Sequence, residues 1–315
     1  MFNIQDGDCL KNVLVAEKID KEAAGLLENT RCFKITSKDR ATELELLNDI
    51  GKYDAVMVRT YVKITEKIID RAKNLKLIVR AGSGLDNVDV EYARSKGIKV
   101  KNTPKSNYIS VAEHVFALIL SLQRNIIPAD KYIRTESGWD RKKFTGTELN
   151  GKVLGLVGIG LIGSQVAYIA QAFGMEVIAY DPFVAAENMD KAGAAKKENL
   201  LDIAKESDIV SLHIPLLGAT RAIISKEFIN CMKSTAIIIN ASRGLVIDEC
   251  ALIDALKNRK IKGAALDVFE AEPPKNTKLL SLKNTVFTPH LGAMTEEADR
   301  RMCMDAAKEV ISFFK

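Results

Sequence analysis

Short runs of β-branched and aliphatic residues alternate along this chain with stretches whose apolar positions recur at helical spacing. That alternation predicts a parallel sheet with crossover helices. In the first third the strand-like runs are residues 12–16, 55–59, 75–80 and 98–101, with helical stretches at 21–28 and 66–72. Asn102-Thr103-Pro104 then breaks the pattern, because proline disfavours helix in the residue before it. Residues 110–123 read as a long helix that is apolar around most of its circumference, which predicts burial between other elements. An irregular, charged stretch at 133–150 carries the single tryptophan, Trp139, and reads as an arm or an interface anchor. From Lys152 a second series of strands follows at 153–157, 176–180, 209–213, 236–240, 263–267 and 285–287, closed by a helix at 295–313. No solenoid-period repeat or low-complexity tract interrupts it. The pattern predicts two α/β units in series.

A length of 315 residues suits two domains, and 47% hydrophobic with 28% charged residues excludes a disordered chain. No apolar run approaches the roughly 20 residues that span a bilayer. The first ten residues carry acids where a signal peptide would carry bases. The expectation is a cytoplasmic protein with no membrane partner. Five cysteines (Cys9, Cys32, Cys231, Cys250, Cys303) form no C-x-x-C pair, and His114, His213 and His290 share no local ligand spacing. Neither a disulfide framework nor a metal site is predicted. The net charge is +5, but basic and acidic residues are interspersed, and Arg141-Lys142-Lys143 is the nearest approach to a basic run. A nucleic-acid partner is therefore not expected.

One motif carries a specific chemistry. The strand ending at Val157 runs into Gly158-Ile-Gly160-Leu161-Ile162-Gly163, and a helical stretch follows directly. Gly158 permits the tight turn, Gly160 lets the backbone approach a pyrophosphate, and Gly163 lets helix and strand pack closely. The helix N-terminus offers N–H groups and partial positive charge to the diphosphate. The next strand ends at Asp181, 18 positions after Gly163, where a carboxylate would accept the adenosine ribose hydroxyls. The alternative is a glycine-rich turn of another doubly wound fold, such as one binding S-adenosylmethionine. With strand, glycines, helix and acid in register, a dinucleotide is the favoured ligand. A 2′-phosphate would meet the like charge of Asp181, so the cofactor expected is NAD.

Three later strands end on Asn240-Ala-Ser-Arg243-Gly244, on Asp267 ahead of Glu272-Pro-Pro, and on Thr288-Pro-His290. Strand C-termini of a parallel sheet gather on one edge, where ligands bind. An arginine, a carboxylate and a histidine can therefore converge. Reduction of a keto acid by hydride needs a proton donor, which imidazole supplies near neutral pH. It also needs a carboxylate to favour and orient the imidazolium, and a guanidinium to grip the substrate carboxylate. His114, in the apolar helix, is expected to be a satisfied core histidine. His213 is expected near the cofactor but outside the acid–base step.

These stretches resemble the D-isomer-specific 2-hydroxyacid dehydrogenases from about Val56 onward. The resemblance is carried by Val79-Arg-Ala-Gly-Ser-Gly84 through Asp89, Phe144 through Gly151, Ala264 through Phe269, and Pro289-His-Leu-Gly-Ala293. It implies Arg243, Glu272 and His290 as catalytic residues and a small anionic 2-hydroxy or 2-keto acid as substrate. It implies substrate contacts from Ser83 and Gly84, with Arg59 and Arg80 as phosphate or carboxylate binders. Further cofactor contacts are implied for Ser83, His213, Ile214, Ala241, Ser242, Asp267, Gly292 and Ala293. Asp267 reads as readily as a strand-end cap. Arg141 is implied to reach a neighbouring subunit's site in a homodimer. The implied fold is α/β with two doubly wound parallel-sheet domains: a Rossmann domain (107–293) inserted into a flavodoxin-like substrate domain (1–106 and 294–315), with a cleft between. Leu161 departs from the family in standing where many members have a base, which leaves the pyrophosphate more to backbone and helix N-terminus. Met294 departs where a small polar residue is common. Ending at Lys315 implies no appended effector-sensing domain. An NAD-sensing binding protein of the same fold is the reading from a different class.

Overall fold

The structure is a computed structural model that describes residues 10–136 and 138–315. Cys9 and the acidic start of the chain, read above against a signal peptide, lie outside the described residues. Two compact units result, one formed by the chain through Asn107 together with Met294–Lys315, the other by Tyr108–Ala293.

The first unit holds a parallel sheet of β1 (Lys11–Val15), β2 (Phe33–Ser37), β3 (Ala55–Val58), β4 (Leu77–Arg80) and β5 (Lys99–Asn102), in the order β2-β1-β3-β4-β5. This is the flavodoxin-like order. Every residue of β3 is buried, which fits a central strand covered on both faces. β2 was not anticipated. It lies at the sheet edge, and Phe33 is its only buried residue. The helix Glu296–Phe314 belongs to this unit. Lys101 Nζ meets Glu309 at 2.6 Å, Ser106 Oγ donates to Asp305 at 2.8 Å, and the Phe33 and Phe314 rings meet edge-on.

The second unit holds β6 (Val153–Val157), β7 (Glu176–Tyr180), β8 (Ala195–Lys196), β9 (Ile209–Leu212), β10 (Ile237–Asn240), β11 (Gly263–Leu266) and β12 (Thr285–Phe287). All are parallel, in the order β12-β11-β10-β9-β6-β7-β8, the Rossmann order extended by one strand. β9, β10 and β11 are buried throughout, and two apolar clusters cover the two faces of the sheet. The helix Tyr108–Gln123 lies in one of them, as its nearly continuous apolar surface requires. The helix Ile126–Glu136, by contrast, buries no residue, although Ile126, Ile127 and Ile133 are each about half exposed. Among the described residues no helix is long and apolar enough to cross a membrane.

Candidate active site

The strand order of the second unit reverses at β6, which pairs with β7 on one side and β9 on the other. Such a switch point opens a crevice at the strand C-termini. Gly158 and His213 stand there. Gly158 adopts φ 91°, and a Cβ on it would lie 2.6 Å from the His213 carbonyl oxygen and 2.7 Å from Ile214 Cγ2, so only glycine fits. A Cβ on Gly163 would lie 2.5 Å from the Gly158 carbonyl oxygen, which is the close helix–strand approach read from the motif. Gly160 differs: it starts the helix Leu161–Ala172 with no side-chain cap, and a Cβ there would meet nothing within 4 Å. The turn is therefore packed from behind and open in front, with helix N–H groups at its mouth. Asp181 Oδ2 accepts the Ile159 N–H at 3.1 Å and Oδ1 accepts that of Phe183 at 3.0 Å. Each oxygen keeps a second lone pair for a ribose hydroxyl. The residues present fit a dinucleotide without a 2′-phosphate, and NAD bound here would present its nicotinamide as hydride carrier.

His213 bonds Ser211 Oγ at 3.0 Å, and burial pushes its pKa down to about 3. A neutral imidazole of this kind cannot be the proton donor at neutral pH. His290 can. Its Nδ1 lies 2.8 Å from Glu272 Oε2, and both side chains remain nearly half exposed. A carboxylate accepts only, so Nδ1 carries a proton and Nε2 is left for a substrate. Burial raises the Glu272 pKa, but the hydrogen bond and charge of His290, with the Phe269 N–H, bring it below the usual carboxylate value. The charge of Asp267 works weakly the other way.

The backbone of His290 is left-handed, φ 56°, a costly conformation for a side-chain-bearing residue. It is held there by its N–H, which donates to the carbonyls of Asp267 (2.9 Å) and Thr288 (3.0 Å). Asp267 fixes the rest of the loop. Its carboxylate, 1% exposed, accepts the N–H groups of Leu291 (2.7 Å) and Gly292 (2.9 Å) and the Thr288 hydroxyl (2.6 Å). His114 Nε2 stands 3.2 Å from Asp267 Oδ1 and 3.1 Å from Thr288 Oγ1. Burial would raise the Asp267 pKa, yet these hydrogen bonds hold it at about 2. The Asp267 carboxylate is turned inward and engaged by the loop that carries His290. His114 is part-buried, with its partner in that same anchor.

Arg243 sits on the neighbouring loop after β10. Asn240, fully buried, accepts the Ser242 N–H (3.0 Å) and hydroxyl (2.8 Å) and donates to the Arg243 carbonyl at 2.8 Å. Arg243 Nη1 donates to the Ser242 carbonyl at 2.6 Å. Gly244 explains how this loop meets that of Glu272: a Cβ on it would lie 1.9 Å from the Phe269 carbonyl carbon and 2.5 Å from Glu270 N. The backbones touch there, and Gly244 was read above only as part of its motif. Ala241, Ser242, Ile214 and Ala293 are all half-buried at this edge, while Gly292 is buried against Asp267.

In the first unit the loop after β4 carries Ser83 and Gly84. Ser83 Oγ donates to Asn107 Oδ1 at 2.7 Å, Asn102 Nδ2 donates to the Ser83 carbonyl at 2.6 Å, and Thr103 Oγ1 accepts the Gly82 N–H at 2.7 Å. The Arg80 guanidinium lies over Gly82, where a Cβ would leave Nη1 only 1.5 Å away. The switch point of this sheet, between β1 and β3, holds a residue missed in the sequence. Glu17, 4% exposed, accepts the N–H groups of Arg59 (2.8 Å), Tyr61 (3.1 Å) and Val62 (3.0 Å). Its own carboxylate fills a cluster of amides of the sort that binds anions. Arg59 is committed as well, to Asp299 and, at 2.9 Å, to the Lys18 carbonyl.

Comparison with known proteins agrees with this geometry. The family profile described as D-isomer specific 2-hydroxyacid dehydrogenase, NAD binding domain, matches residues 116–292. The D-3-phosphoglycerate dehydrogenase of Synechocystis sp. is 43% identical over 302 residues, 96% of this chain and 54% of that protein. The chain thus spans about half the length of such relatives. The hydroxypyruvate reductase of Thermotoga maritima is 45% identical over 301 residues, covering 95% of this chain and 96% of that one. Among solved structures, the D-lactate dehydrogenase of Aquifex aeolicus, complexed with NAD and lactic acid, superposes with a TM-score of 0.85 at 31% identity, covering 96% and 95% of the two chains. With the profile matching more than half its length and the Thermotoga protein matching end to end, the chain belongs to the D-isomer-specific 2-hydroxyacid dehydrogenase family.

Proposed function

We propose that the protein oxidises D-3-phosphoglycerate to 3-phosphohydroxypyruvate, and reduces it in reverse, with NAD. The observation that carries the dehydrogenase chemistry is the 2.8 Å contact of His290 Nδ1 with Glu272, on a loop whose direction Asp267 fixes. In the reductive direction bound NADH would supply the hydride that the keto carbon needs. His290 gives its Nε2 proton to the keto oxygen, the electron pair of that N–H bond stays on the ring, and the neutral imidazole keeps its Nδ1 proton on Glu272. Arg243 grips the substrate carboxylate and polarises the carbonyl. Oxidation reverses each transfer.

The phosphorylated substrate is supported by the names of relatives over 40% identical and by the guanidinium of Arg80 beside the Ser83–Gly84 loop. The commitment of Arg59 to Asp299, and the match to the Thermotoga reductase over nearly all of both chains, favour a second reading in which the substrate is unphosphorylated hydroxypyruvate. NADH absorbance with 3-phosphohydroxypyruvate, hydroxypyruvate, glyoxylate and pyruvate separates the two. A charge-assisted phosphate contact is worth roughly 1.5–3 kcal/mol. The phosphorylated acid should therefore lead in kcat/KM by about 10-fold to 150-fold, and Arg80→Ala should erode that lead. Equal kcat/KM for both hydroxypyruvates in the unaltered protein removes the phosphate assignment and leaves the dehydrogenase standing.

We also infer a homodimer assembled through the arm. Trp139 is 81% exposed, and with Ala129, Tyr132, Ile133 and Phe144 it lines a cavity of about 350 Å³. Apolar surface of that kind on an otherwise unburied helix calls for cover.

A further inference from the structure

At the opposite edge of the second unit's sheet from His290 lies a concavity of about 630 Å³. It is formed where the chain enters β10, β11 and β12. Its charged lining consists of Lys257, Arg259, Lys262 and Lys283, without an acid among them. Ser234, Thr235, Ser281 and Asn284 add neutral polar groups, and Leu256, Ile261 and Leu282 an apolar floor. Four like charges around one hollow repel one another, and such focusing of one sign raises the local concentration of counter-ions. Among the described residues Lys262 Nζ has only neutral acceptors, Gln123 Oε1 at 2.6 Å and Thr147 Oγ1 at 3.2 Å, and burial with the charge of Lys152 pushes its pKa down. Lys257, Arg259 and Lys283 have no ion-pair or side-chain hydrogen-bond partner among the described residues. The nearby acid Asp208 is already taken up by Lys233 at 3.1 Å and the Val153 N–H at 2.9 Å.

The backbone supplies an independent observation. Helix Glu249–Lys257 ends in a Schellman motif: Lys260 N–H donates to the Ala255 carbonyl at 2.8 Å and Arg259 N–H to that of Leu256 at 3.3 Å. Three other helices of this chain, ending at Ser95, Ala172 and Lys191, close with the same pair of bonds. Each has glycine at the left-handed position: Gly97, Gly174 and Gly193. Only here is that position an arginine, with φ 52°. A long charged side chain stands where glycine would cost less, and it lines the basic hollow. Strain tolerated in this way marks a side chain with a use.

We propose that this hollow is a binding site for a polyphosphate-bearing anion, with Arg259, Lys257 and Lys283 as its charged contacts. The phosphate chain would be neutralised by the guanidinium and ammonium groups and bonded by the hydroxyls at the rim. A nucleoside attached to it would rest on Leu282, over the buried Leu256 and Ile261.

The test is calorimetric titration of the full chain, kept saturated with NADH so that the dinucleotide turn is closed to adenine nucleotides. Tripolyphosphate, ATP and adenosine are the probes. Tripolyphosphate and ATP should bind and adenosine should not, and tighter binding of ATP than of tripolyphosphate would place the base on the apolar floor. Arg259→Gly should weaken both phosphates at least tenfold while melting at or above the temperature of the unaltered protein, because glycine relieves the left-handed strain. Lys257→Gln with Lys283→Gln should weaken them similarly without touching the helix end. No binding of either phosphate to the NADH-loaded protein, or binding unchanged in both variants, overturns the proposal. Arg259 would then merely be a cation at the negative end of a helix.

Discussion

Replacing His290 with Gln should leave NADH affinity within about twofold of the unaltered protein and lower kcat for keto-acid reduction by about 10²–10⁴-fold, the usual worth of a positioned acid–base group. Glutamine retains bulk and polarity but has no proton to give at neutral pH. On the proposed placement the cofactor would rest on the Gly158–Gly163 turn and Asp181, which His290 does not touch. One complication is separable. His290 holds φ 56°, which asparagine tolerates better than glutamine. His290→Asn therefore relieves the backbone while still removing the proton, and the two variants should lose turnover alike. Recovery of turnover in the Asn variant would mean that loop strain, not proton transfer, is what His290 contributes.

The second large effect is expected at Asp267, and it falls on stability as well as turnover. Asn in its place puts an NH2 group among donors: the Leu291 and Gly292 amides, the Thr288 hydroxyl and His114 Nε2. A buried carboxylate removed from such partners costs about 3–5 kcal/mol. Urea denaturation should show a loss of that order, accompanied by a fall in kcat as His290 loses its fixed direction. The sign of the pH dependence follows from the depressed pKa. Asp267 titrates at about 2 in the folded protein and near ~3.9 unfolded. Its contribution, roughly 2–3 kcal/mol, is complete above the unfolded value and disappears as pH falls through 4 toward 2. The Asn variant should be flatter than the unaltered protein across that window. A difference in stability under about 1 kcal/mol at neutral pH would show that Asp267 does not anchor the loop.

Much of this was readable in the sequence because the determining interactions are local. The run Val153–Val157, the three glycines and Asp181 each reveal their place by residue type and spacing alone, since a turn, a close approach and a strand end are short-range demands. The buried central strands were equally plain, as unbroken β-branched runs such as Ile237–Ile239. β2 was not, because an edge strand needs few apolar residues: Lys34 and Ser37 face solvent and only Phe33 is buried. Long-range matters were hidden too. That Asp267 turns inward depends on Leu291, Gly292 and His114, which reach it from well separated parts of the chain. That Gly244 brings two loops into backbone contact depends on Phe269 and Glu270. Glu17 carries no local signal in the sequence, because the amides that surround it come from residues 59, 61 and 62. Glutamates at switch points, and glycines beside a strand-end arginine, are the signals to look for in relatives.

We assign delivery of the proton to the His290–Glu272 pair. That assignment is tested most directly by the pH dependence of kcat/KM for keto-acid reduction in the unaltered protein and in Glu272→Gln. Reduction needs the protonated imidazole, so activity falls as pH rises. Without the carboxylate at Nδ1 that fall should begin at lower pH, because the cation has lost its partner. Superimposable profiles would contradict the pairing as the source of the proton.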